Sequence, residues 1–100
     1  MKAEPVLSYR QQLTDSLFKE VRVWRLPRPL AGSPHPFKYR LALVSHGRCV
    51  LRYDNERGKG DHKHVGEQQH PLTFVSMPQL LIDFDHDIHC WRTAHEHTDD

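Results

Sequence analysis

The feature that most constrains the fold is residues 37–55, where the segments FKYRLALVS, HGR and CVLRYDN follow one another. Aromatic, β-branched and aliphatic residues flank a short break, which is the pattern of two strands and a turn. Gly47 supplies the positive φ that a tight hairpin turn requires. An antiparallel hairpin is therefore expected. Tyr39, Leu41 and Leu43 share one of its faces. On the return strand Cys49, Leu51 and Tyr53 share a face, and Val50 and Arg52 take the other.

An apolar hairpin face needs a cover. Residues 76–97, SMPQLLIDFDHDIHCWRTAHEH, provide one. Ser76 is a good helix N-cap, Pro78 sits in the first turn, and Gln79 completes an S-x-x-Q capping box. Met77, Leu81, Phe84, Ile88 and Trp91 recur at helical spacing and form a stripe suited to packing on a sheet. His95 and His97 at the helix end are expected to face solvent.

The rest of the chain reads less sharply. Residues 1–18 are taken as a strand, a turn at Thr14, Asp15 and Ser16, and a second strand. FKEVRVWRL, residues 18–26, alternates at period two and reads as strand until Pro27 and Pro29. PRPLAGSPHP, residues 27–36, holds four of the seven prolines and is expected to be a surface loop. NERGKGDHKHVGEQQHP, residues 55–71, reads as a polar loop, and LTFV, residues 72–75, as a last edge strand or bridge. The expected fold is α+β: a small antiparallel meander of four or five strands under one C-terminal helix, forming a single domain over residues 1–100.

No apolar run approaches the roughly 20 residues that span a bilayer. The N-terminal MKAEPVLSYRQQ lacks the apolar core of a signal peptide. A cytoplasmic location without membrane contact is expected. Cys49 and Cys90 form no C-x-x-C pair and are expected to be reduced, with Cys49 a small buried hydrophobe. Charge is uneven: residues 1–71 carry 13 Lys/Arg against 7 Asp/Glu, a net +6, and residues 72–100 carry one Arg against 6 acids, a net −5. A basic body invites an anionic partner, although the acidic helix also balances the sheet.

Chemistry concentrates in DNERGKGDHKH, residues 54–64. Two glycines permit close approach of a ligand to the backbone, and Lys59 or Arg57 supplies charge for a phosphate. It is not a Walker loop, since it lacks the four-residue spacer and the Lys-Ser/Thr pair. RNA cleavage by internal transfer needs a base, an acid and a cation that stabilises the phosphorane. His62 and His64 suit the proton roles, Lys59 or Arg57 the third, and Asp61 is placed to orient one imidazole. The plainer reading is a solvated charged turn. A metal is the rival chemistry: His62 and His64 with Asp54 or Asp61, or Asp83, His86, Asp87 and Cys90 along one helical face. A polar helix face explains the second set, and neither metal nor cofactor is expected. Arg22, Trp24, Arg25, Arg28, Lys38, Tyr39, Arg40, Arg52 and Tyr53 mix cations with aromatics, as single-stranded RNA binding requires. Lys38, Arg40, Arg52, Tyr53, Asp54, Gly58 and Gly60 are the candidate substrate contacts.

VWRLP, GSPHPFKYRLALV, CVLRYDNERGKGDHKH and FVSMPQLLIDFDHDI together resemble the TumE-type toxin family, over about residues 20–92. The most specific piece is YDNERGKGDHKH, whose family motif falls on Asp54, Asn55, Glu56, Gly58, Lys59, Gly60, Asp61, His62 and His64. The resemblance implies the toxin component of a bacterial type II toxin–antitoxin system, neutralised by a small helix-turn-helix antitoxin. Two functions follow: a metal-independent ribonuclease built on residues 54–64, or a non-enzymatic module that binds protein or nucleic acid through them.

Overall fold

The structure is a computed structural model and describes residues 2–96. Six strands precede one helix: β1 Glu4–Gln12, β2 Leu17–Arg25, β3 Phe37–Ser45, β4 Arg48–Glu56, β5 Gly60–Val65, β6 Gln68–Pro71 and α1 Met77–Glu96. The strands form one antiparallel sheet in the order β1-β2-β3-β4-β5-β6, an unbroken meander. The α+β architecture is as expected, with six strands instead of four or five.

The β3–β4 hairpin turns through His46 and Gly47, at φ 51° and 76°. Two successive left-handed residues match the right-handed twist of the flanking strands. The His46 amide also donates to the Ser16 carbonyl at 2.8 Å, joining this turn to the β1–β2 turn. Leu43 pairs with Leu51 and Val44 with Cys49, so Val50 is an extra residue in β4. That bulge breaks the alternation. Cys49 consequently lies exposed, correcting its expected burial with Leu51 and Tyr53.

Strict pairing divides the sheet into two faces. One carries Val21, Val23, Tyr39, Leu41, Leu43, Leu51 and Tyr53, all buried. Against them α1 sets Leu80, Phe84 and Ile88, with Met77, Leu81 and Trp91 half-buried beside them. Tyr53 and Phe84 meet edge-to-face at 5.2 Å. Ion pairs Lys19–Asp85 at 2.8 Å and Lys63–Asp87 at 3.0 Å anchor the acidic helix to the basic sheet. The Ser76 hydroxyl accepts from the Gln79 amide at 3.2 Å. Gln79 does not complete a reciprocal box, because its side chain donates to Asp83 at 2.8 Å.

Residues 55–71 are the largest departure from the expected layout. They are not a loop: β4 runs to Glu56, residues 57–59 turn the chain, and β5 and β6 follow. Both strands are polar, so no apolar alternation betrays them. The segment LTFV forms no strand; Phe74 instead stacks on His35 with ring centroids 3.7 Å apart. The proline-rich segment is irregular, as expected, and it folds over the β4–β5 turn. The Gly58 amide donates to the Ala31 carbonyl at 2.6 Å. A Cβ on Gly60 would stand 2.9 Å from the Gly32 carbonyl oxygen.

Candidate functional site

The face of the sheet opposite α1 carries two neighbouring rows of side chains. Pairing runs Ser8–Arg22–Arg40–Asp54–His62–Pro71 in one and Arg10–Glu20–Ala42–Arg52–His64–Gln69 in the other. Period two along each strand and the meander order across them bring these residues together. Arg10, Arg22 and Arg40 all approach the Glu20 carboxylate, at 3.2, 3.3 and 3.6 Å. Hydrogen bonding to Arg10 is the main reason the Glu20 pKa is lowered. Three guanidiniums on one carboxylate leave an excess of positive charge in the row.

At the β4–β5 end the two histidines sit side by side, with ring centroids 5.0 Å apart. Asp54 and His62 are buried, at 7% and 3% exposure, and His64 is half-buried. His62 Nε2 stands 2.8 Å from Asp54 Oδ1, and Arg52 Nε stands 3.1 Å from Asp54 Oδ2. Neither approach is aligned as a hydrogen bond, and Arg52 Nε, Asp54 Oδ1 and His64 Nε2 are buried without a hydrogen-bond partner. On the other side of its ring, His62 Nδ1 lies 3.2 Å from the Gly60 carbonyl. Burial and the neighbouring Arg52 charge lower the His64 pKa and favour its neutral imidazole. One ligand atom from each of Asp54, His62 and His64 falls within 4.8 Å of the others, a spacing within reach of a single metal ion.

The sequence candidates divide between the faces. His62, His64, Asp54, Arg52 and Arg40 gather on the open one. Asp61 points the other way, and the imidazole it holds is His35, at 2.8 Å, not His62 or His64. Tyr39 donates to the same Asp61 oxygen at 2.7 Å. Burial, reinforced by that bond, raises the Tyr39 pKa. The Phe37 amide donates to His35 Nδ1 at 3.1 Å, which leaves Nε2 as the protonated nitrogen facing Asp61. Tyr53 is buried beneath α1, where its hydroxyl donates to the Asp83 carbonyl and to the Asp87 carboxylate. A ring so placed has no face for a base to stack on. Lys38 Nζ donates to the Asn55 carbonyl at 2.6 Å.

Lys59 and Arg57 lie in the β4–β5 turn, with Lys59 Nζ 3.6 Å from Glu56. Part of the backbone of this turn is already engaged. Its Gly58 and Lys59 amides already donate to Ala31 and Glu56, and the close approach that Gly60 permits is taken by Gly32. On α1, Asp83 serves Gln79 and Tyr53 bonds Asp87, while Cys90 Sγ and His86 Nε2 stand 3.6 Å apart. The four do not converge. His95 is exposed and stacks on Trp91, and His97 lies outside the described residues.

Arg10, Glu20 and His35 escaped the sequence reading as site residues. Arg10 and Glu20 become visible only once β1, β2 and β3 are in register. The model of the family Toxin TumE matches residues 2–92. The chain belongs to the TumE toxin family. The match includes β1 and the start of β2, ahead of the stretch that carried the resemblance in sequence. No curated protein and no solved structure matches the chain. Membership makes this TumE-family protein a toxin of a toxin–antitoxin system and implies an antitoxin as its partner. Among the described residues no helix is long and apolar enough to cross a membrane.

Proposed function

We propose that this TumE-family toxin arrests growth by cutting RNA on the open face of its sheet, with Asp54, His62 and His64 as the reacting end. The supporting observation is one continuous surface. Arg10, Arg22, Arg40 and Arg52 run across the strands and lead to the two histidines. Guanidiniums in a row meet successive phosphates, and imidazoles are the side chains best suited to chemistry at phosphorus near neutral pH. Arg52 replaces Lys59 and Arg57 as the cation at the centre, since it lies beside His64 in the pairing. Equal division of proton transfer between both imidazoles meets an obstacle at His62, which gives Nδ1 to the Gly60 carbonyl and sets Nε2 2.8 Å from Asp54. His64 keeps an unengaged Nε2. The neutralising partner is a helix-turn-helix antitoxin encoded beside the toxin.

The test is expression without the antitoxin, followed by sequencing of RNA ends. New ends should accumulate with the wild type and fall by roughly 10²–10⁴-fold with His64→Ala, with unchanged folding and antitoxin binding. Full toxicity in that variant, or growth arrest without new RNA ends, removes the nuclease and leaves the face as a binding surface. Co-purification with the neighbouring gene product tests the partner.

A further inference from the structure

We infer that Asp54, His62 and His64 bind one divalent transition-metal ion. The reason lies in hydrogens. Gly60 O can only accept, so the bond to it places the hydrogen of His62 on Nδ1. In neutral imidazole Nε2 then carries a lone pair, and it stands 2.8 Å from a carboxylate oxygen. Two acceptors at that distance need a cation between or beside them, either a shared proton or a metal ion. The geometry favours the ion. Asp54 Oδ1 is off the line that a shared hydrogen would occupy, since the contact fails as a hydrogen bond and Oδ1 has no other partner. His64 Nε2 is the third atom of the group, also buried and unpartnered, and it is not explained by a proton shared between the other two.

The groups that hold these side chains suit a metal ligand. Histidines that bind metals commonly donate their other ring hydrogen to a backbone carbonyl, as His62 does to Gly60. Asp54 is held from its far side by Arg52, at 3.1 Å. Ligands about 2.0–2.2 Å from an ion in a tetrahedral shell stand about 3.3–3.6 Å apart, so three atoms already within 4.8 Å need only small side-chain rotations. Two imidazoles and one carboxylate select zinc, manganese, cobalt or iron(II) over magnesium and calcium, which take oxygen ligands. Three protein ligands also leave coordination positions open, as catalytic sites do. The expectation of a metal-free site gives way to this one. In giving the ion a part in cleavage the inference rests on the RNA reading above, with His64 Nε2 then acting as a ligand in place of a proton carrier; binding itself is measured without RNA.

The experiment uses the untagged full-length chain, stripped with EDTA and titrated calorimetrically with zinc chloride. Cobalt(II) absorption and the His Nε2 signals in nitrogen NMR serve as independent readouts. One ion per chain is expected, with shifts at the His62 and His64 Nε2 atoms. His64→Gln and Asp54→Asn should each weaken zinc binding by at least about 10–100-fold. The double variant His70→Gln/His86→Gln, which removes two histidines outside the cluster, should bind as the wild type does. Circular dichroism monitors folding, and the wild-type NMR shifts decide the matter even if a variant unfolds. No binding by the wild type, or binding that survives both ligand substitutions in folded protein, overturns the inference. RNA cleavage is followed separately with and without EDTA. Ion binding without cleavage sinks only the RNA reading, and cleavage by protein that binds no ion sinks only this one.

Discussion

Asn55 is fully buried, and its side chain replaces part of a strand ladder. Its oxygen accepts from the Tyr39 amide at 3.1 Å, and its Nδ2 donates to the Phe37 carbonyl at 2.7 Å and to Ser33 at 3.3 Å. Asn55→Ala strands two backbone groups away from water. A loss of about 2–6 kcal/mol is expected in urea unfolding, since each unsatisfied group costs about 1–3 kcal/mol. The two turn glycines separate conformational from steric cost. Gly58 and Gly60 have φ 80° and 75°, but only Gly60 faces another backbone, at 2.9 Å. Gly58→Ala should cost about 1–2 kcal/mol for its left-handed φ, and Gly60→Ala measurably more in the same assay. Glu20 has a pH signature. Arg10 lowers its folded-state pKa, so its ionised form stabilises the native state above the unfolded pKa. That contribution disappears as pH falls through the lowered value. The stability difference between wild type and Glu20→Gln should therefore be largest above about pH 4.5 and shrink under acid.

Among the elements, α1 follows its sequence pattern most closely. The expected stripe contains Phe84 and Ile88, both buried, and flanks Leu80, which lies one position from the expected Leu81. Phe84→Ala should cost about 3–5 kcal/mol. An unchanged melting temperature would show that the helix does not pack through this face. Strands β5 and β6 follow their pattern least. Asp61 and Lys63 turn toward the α1 side, while His62 and His64 turn away, so both halves of the alternation are polar. A period of two is written in hydropathy only when one face is apolar. Here both faces carry polar side chains, and the polarity that signals a loop was that of two polar strands.

At the scale of the whole molecule, one face of the sheet packs under α1 and the other carries the arginines and the two histidines. If the open face meets RNA, affinity should fall with salt, and Arg40→Gln should reduce the slope of log K against log salt by about 0.7, the contribution of one single-strand phosphate contact. Glu20→Gln should instead raise affinity, because it frees three guanidiniums from one carboxylate. Filter binding at several salt concentrations measures both. From sequence alone came the β3–β4 hairpin, the C-terminal helix, the α+β class and the family, because each depends on residues near one another in the chain. Turn φ, capping and helical period are local properties. The six-stranded register, the burial of Tyr53, the turning of Asp61 toward His35 and the meeting of Asp54 with His62 and His64 were decided by tertiary structure. Which face a polar side chain takes depends on bulges and on partners many residues away, such as the extra Val50 in β4 and the Gly32 backbone against Gly60.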